Sequence, residues 1–119
     1  MRKITTLAVA IAVVSLLIAT TALAESKSGA SAEDMEKTIL RLLSDPMYDA
    51  IDDYFGQPRQ YMNDQLLSVR KLPDRPYYEV VVQVETFYGP HNPPYGLETM
   101  TFYISYGKVT LKDYVHKDQ

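Results

Sequence analysis

His91 lies in the run Gly89-Pro90-His91-Asn92-Pro93-Pro94-Tyr95-Gly96. An imidazole in such a setting could serve as a general base or as a metal ligand. A zinc site takes three or four ligands at recognisable spacings. The chain has no cysteine, and its only other histidine is His116, near the C-terminus. Asp49, Asp52 and Asp53 stand at i, i+3 and i+4, so on a helix they share one side. Carboxylates so placed suit a hard cation, yet the pattern of a calcium-binding EF-hand loop is absent. Arg59, between Pro58 and Gln60, could anchor a partner's carboxylate, bond the free carbonyls of a helix end, or pair with Asp52 or Asp53. Nucleophilic catalysis would need a cysteine or a serine in a G-x-S-x-G elbow, and neither occurs. Glycosidase chemistry by paired carboxylates would need a sugar cleft that so short a chain can hardly enclose. The catalytic alternative is thus a small hydrolase or metal-dependent enzyme using His91 with Asp52, Asp53 or Arg59.

The same residues also suit recognition. Three prolines fix φ in the segment over residues 89–96, and two glycines bracket it. Read as a connection, it is a stiff one. Pro90, Pro93, Pro94 and Tyr95 would form a preorganised apolar tip, with His91 and Asn92 as polar contacts. Ten tyrosines and no tryptophan suit half-buried sheet positions and binding surfaces. A noncatalytic binding module using this loop, Arg59 and a tyrosine-bearing sheet face is therefore the expected function. No cofactor or metal is expected.

The elements that must position these residues read as helix followed by strands. Ser31-Ala32-Glu33-Asp34 resembles a helix start, with Ser31 as cap and acids in the first turn. Apolar residues then recur at spacings of three and four: Met35, Ile39, Leu42, Leu43, Met47, Ala50, Ile51, Tyr54 and Phe55. Pro46 interrupts them, which predicts a kink or two abutting helices, with Asp45 capping the second. Gly56-Gln57-Pro58 ends the helical region.

The first strand is predicted over residues 65–72, with a start nearer Tyr61 as an option, and Pro73-Asp74-Arg75-Pro76 is a turn. Residues 77–88 alternate, with Val80, Val82 and Val84 on an apolar face and Glu79, Gln83 and Glu85 on a mostly polar one that also carries Tyr77, Val81 and Phe87. Residues 97–106 place Met100, Phe102 and Ile104 together. A two-residue turn at Tyr106-Gly107 pairs Ser105 with Lys108, Ile104 with Val109 and Phe102 with Leu111, and sets Thr99 opposite Tyr114. The expected fold is α+β, a kinked N-terminal helix on a four-stranded antiparallel meander, of the cystatin-like or small NTF2-like topology. Its outward sheet face would carry Tyr77, Phe87, Tyr103 and Tyr114.

Composition and the first residues bound where such a domain works. Arg2-Lys3, an apolar stretch from Ile4 to about Ala19, and Ala22-Leu23-Ala24 form the pattern of a secretory leader cut after Ala24. An uncleaved anchor is the alternative, since the stretch would reach about 30 Å as a helix. Removing 24 of 119 residues leaves 95: a tether over residues 25–30 and one domain over 31–119. The formal charge is −3, and loss of Arg2 and Lys3 makes it −5. An acidic balance argues against nucleic acid as a partner, and membrane contact would come only through an uncleaved leader. The expected state is an exported monomer or weak homodimer that meets a protein or peptide at the cell envelope.

Two strings carry a family resemblance. One is Ala50-Ile51-Asp52-Asp53-Tyr54-Phe55-Gly56-Gln57-Pro58-Arg59-Gln60-Tyr61, and the other runs from Gly89 through Gly96 to Leu97-Glu98-Thr99. They resemble DUF3888, a family of small exported proteins of Bacillus-like bacteria whose function is unknown. The resemblance covers roughly residues 39–115. It implies an exported single domain of a Gram-positive cell and brings no catalytic residue with it.

Overall fold

The structure, a computed structural model, describes residues 29–119. The expected leader and most of the tether lie outside the described residues. The chain divides into two units, Met1–Met35 and Glu36–Gln119. The described part of the first is the start of a helix, where Ser31 Oγ accepts a hydrogen bond from the Asp34 amide at 3.0 Å, as the capping pattern predicts.

Of the two arrangements that Pro46 predicts, a kink or two abutting helices, the chain adopts the second. Helix α1 spans Ala32–Leu42 and α2 spans Ser44–Phe55. The break falls at Leu43, upstream of the proline, and no side chain caps α2. Pro46 sits in the first turn of α2, where its missing N–H costs least. Gly56 ends α2 at φ 68°, and its amide donates to the Asp52 carbonyl at 2.8 Å.

Four strands follow: β1 (Gln60–Lys71), β2 (Tyr78–Tyr88), β3 (Asn92–Ser105) and β4 (Lys108–Asp118). They form an antiparallel meander in the order β1-β2-β3-β4, so the fold is α+β. One face of the sheet carries Val80, Val82, Val84, Met100 and Phe102, each at most 2% exposed. Leu40, Leu43, Met47, Ala50 and Ile51 of the helical region pack against them as one core. Burying side chains of this size contributes about 2 kcal/mol each. Among the described residues no helix is long and apolar enough to cross a membrane.

The β3–β4 register agrees with the predicted hairpin from Ser105↔Lys108 to Phe102↔Leu111. A bulge at Lys112 then shifts it, because Thr101 pairs with Asp113. Tyr114 therefore lies opposite Met100, not Thr99, and its ring joins the core on the helix side. The expectation that Tyr114 faces outward is corrected by this single extra residue. Strand β1 carries two further irregularities, between Met62 and Gln65 and between Leu66 and Ser68. Asn63 takes a positive φ of 54° there.

Candidate functional site

The connection expected over residues 89–96 is far shorter. Only residues 89–91 form the turn, and β3 begins at Asn92. Pro93, Pro94 and Tyr95 form a bulge: Thr86 pairs with Gly96 and Tyr88 with Asn92, so β3 carries two extra residues there. Prolines cannot donate to a ladder, and a bulge is where a sheet accepts them. Turn residues Gly89 and His91 have φ values of 48° and 60°. The Tyr95 hydroxyl donates to the His91 carbonyl at 2.7 Å, which holds the tip together. The His91 ring stacks on Phe87 at 4.3 Å between centroids. Phe87, expected as an exposed aromatic, is 3% exposed. Of the predicted contact residues, His91, Asn92, Pro93 and Pro94 are exposed and Tyr95 is half-buried.

Arg59 links this hairpin to the end of α2. It is 5% exposed. Its guanidinium lies 4.3 Å from the Phe55 ring centroid and 4.0 Å from that of Tyr88, an aromatic clamp in which a planar cation is favoured. One terminal nitrogen donates to the Pro94 carbonyl at 2.7 Å. Gln57 donates to the Tyr88 hydroxyl at 2.8 Å, which braces the clamp. Arg59 Nε is buried without a partner.

Beside it opens a pocket of about 600 Å³ lined by Tyr48, Asp52, Pro58, Arg59, Gln60 and Gly89. Asp52 Oδ1 is likewise buried and unpaired. Asp52 and Arg59 thus share the lining of one pocket, with Tyr48 and Pro58 as apolar wall. Asp49 and Asp53 are exposed. Among the described residues no group of three or more acidic, histidine or cysteine side chains could hold a metal, and no hydrogen bond or ion pair joins His91 to Asp52, Asp53 or Arg59.

A second polar cluster lies on the helix side of the sheet, and the sequence reading did not single it out. Glu98 is 0% exposed. Its carboxylate accepts from the Thr86 hydroxyl at 2.8 Å and meets His116 Nδ1 at 2.5 Å. His116 Nε2 meets Asp118 at 2.8 Å. Both ring nitrogens therefore face carboxylate oxygens, and only the imidazolium donates from both. Burial opposes that charge, but the hydrogen bonds to Glu98 and Asp118 outweigh it and raise the pKa of His116. Burial, and then the nearby Glu98 carboxylate, raise the pKa of Tyr114. Tyr54 stacks on Tyr114 at 4.5 Å and Phe55 meets His116 edge-on. With both nitrogens engaged, His116 has none left for a substrate.

This cluster ties stability to pH. A histidine whose pKa is raised by folding contributes stability that is complete below its unfolded value of about 6.5. That contribution is lost as pH rises through the folded value. The midpoint of thermal unfolding should accordingly fall from pH 6 toward pH 9. His116→Gln should flatten the slope over that range, and an unchanged slope in the variant would assign the pH dependence elsewhere.

On the outward face, Tyr103 lies 6.3 Å from Tyr77, and the Lys112 ammonium is 5.1 Å from the Tyr103 ring. Tyr114 has left this face, as described, so the expected tyrosine surface reduces to Tyr77 and Tyr103. Residues 35–118 match a family model described as "Protein of unknown function (DUF3888)". No curated protein and no solved structure matches the chain.

Proposed function

The chain belongs to the DUF3888 family, whose description names no function, and we propose that it is a noncatalytic binding module. The reading is an exported domain that recognises an extended peptide segment of an envelope protein at the Asp52–Arg59 pocket and the adjoining hairpin tip. The observation that carries it is one open pocket whose lining brings together Asp52 and Arg59, side chains of opposite charge and hydrogen-bonding sense that each keep a buried atom without a partner. A hydrogen bond to a charged group contributes about 1.5–3 kcal/mol, so a ligand that pairs with the accessible parts of Asp52 and Arg59 gains on that scale. Peptide backbone offers an N–H and a C=O in every residue, which suits an acceptor and a donor in one site. His91 and Asn92 at the exposed tip extend the contact surface.

Asp52→Ala separates a binding role from a structural one. The substitution removes an acceptor that is unpaired in the free protein and places a good helix former in α2. Stability should stay within about ±0.5 kcal/mol of the parent or rise slightly. Affinity should fall by about 2 kcal/mol, the scale of a binding hot spot. The measurement is retention of an envelope protein by the immobilised chain at physiological salt, parent against variant, with urea unfolding in parallel. Equal retention by the variant, or a stability loss above about 1 kcal/mol, would sink the reading.

A further inference from the structure

The outward face of the sheet holds a second depression, of about 200 Å³, at the end where β3 turns into β4. Its charged lining is wholly cationic: Arg75 from the β1–β2 connection, Lys108 at the start of β4, and Lys112. No carboxylate lines it. None of the three cations forms an ion pair among the described residues. The β4 bulge at Lys112 is part of this arrangement, since the Lys112 ammonium lies over the Tyr103 ring. Tyr77 and Tyr103 form the walls, and Ser105 and Thr110 add hydroxyl donors.

Such a cluster runs against the net charge of the chain, which is −3. The acidic residues nearest in sequence and register do not cancel it. Glu79, opposite Tyr103 in the ladder, is held by Arg70 at 3.1 Å. Asp113 pairs with Thr101, two residues before Tyr103 on β3, and Asp74 precedes Arg75 in the turn; neither lines the depression. The three cations come from two segments, Arg75 from the β1–β2 connection and Lys108 and Lys112 from β4, and all line the one depression. A planar carboxylate presents two oxygens to such a set, whereas a tetrahedral phosphate presents three and carries up to two charges.

We propose that this depression binds a phosphate group, with Arg75, Lys108 and Lys112 as its cationic contacts and Ser105 and Thr110 as hydroxyl donors. The site is separate from the Asp52–Arg59 pocket and shares no lining residue with it. The phosphate can come as a free anion or as a unit of a polymer, because the chemistry that recognises it is the same.

The test is an NMR titration of the full chain with inorganic phosphate, with short-chain polyphosphate, and with acetate and chloride at matched ionic strength. Saturable shifts of the Ser105, Thr110 and Lys112 amides with phosphate or polyphosphate are expected. Equal affinity per phosphate group assigns the free anion, and polyphosphate at least about tenfold tighter assigns a polymer. The Lys108→Gln/Lys112→Gln double variant should weaken binding at least about tenfold while leaving the unfolding midpoint unchanged, because both side chains are exposed. Asp52→Ala should leave phosphate binding untouched, so the two sites fail or succeed independently. The proposal is overturned if acetate or chloride produces the same shifts, if the shifts map elsewhere, or if the double variant binds like the parent.

Discussion

Gly96→Ala should cost about 3 kcal/mol or more of folding stability, although it adds one methyl group to a strand. Gly96 has no positive φ, so the backbone accepts alanine. The obstacle is what the new carbon would meet: Glu98 Oε2, Thr86 Oγ1 at 2.8 Å and His116 Cε1 at 2.9 Å. All three are side-chain atoms, and in an open site they would swing away. Here they cannot do so separately, because Thr86 and His116 are both bonded to the one buried carboxylate. Making room means breaking a buried charged network, not shifting one rotamer. Urea unfolding of Gly96→Ala checks the size, and the double variant Gly96→Ala/Glu98→Ala checks the cause. If Glu98 is the wall, the two losses are strongly less than additive. Full additivity, or a loss below about 1 kcal/mol for Gly96→Ala, would show that the network yields freely.

His116→Ala should be of similar size, about 3 kcal/mol at pH 6, for a different reason. The substitution leaves the Glu98 carboxylate fully buried with the Thr86 hydroxyl still donating to it but without its cationic partner. Removing one member of a buried pair costs about 3–5 kcal/mol, since the other charge stays in a low-dielectric site. The His116 side chain is itself one-fifth exposed, so water can enter its place and the lower end applies. Adding Glu98→Gln to His116→Ala removes the stranded charge while nearly keeping its volume. The double variant should recover at least half of the loss. A double variant no more stable than His116→Ala would mean that lost ring packing on Tyr54 and Phe55, not charge, dominates.

The sequence was a good guide wherever periodicity alone decides. Alternation through Val80, Val82 and Val84 placed the core face of β2, and apolar matching across Tyr106-Gly107 set the hairpin register as far as Leu111. It failed where one extra residue changes parity. Nothing in the types Leu111-Lys112-Asp113 marks a bulge, so Tyr114 was assigned to the wrong face. The proline-rich stretch misled for a related reason: proline excludes a regular ladder but not a bulged one, and β3 begins at Asn92. The position of Arg59 suggests helix-end carbonyls, Asp52 or Asp53, or a partner's carboxylate as its contact, and its aromatic clamp is not legible there, because Phe55 and Tyr88 approach only in the folded chain. The Glu98 cluster did leave a trace. Glu98 shares the parity of Met100, Phe102 and Ile104, so a carboxylate stands on the core side of a strand, where it needs a cationic partner. His116 supplies it from the directly opposed position.

The irregularities of the outer strands also bear on how the protein behaves when crowded. An open meander exposes two rows of unpaired amides and carbonyls, one along β1 and one along β4, and such rows template further strand addition. A newcomer needs a flat, uninterrupted stretch to zip onto. The two breaks in β1 leave regular pairing runs of only three and four residues at its ends, Gln60 to Met62 and Ser68 to Lys71. The break at Lys112 divides β4, which also carries Lys108 and Lys117. The bulge that turned Tyr114 toward the core thus blunts the β4 margin of the sheet, as the two breaks blunt the β1 margin. A small cysteine-free domain gains from them a resistance to fibrous self-association.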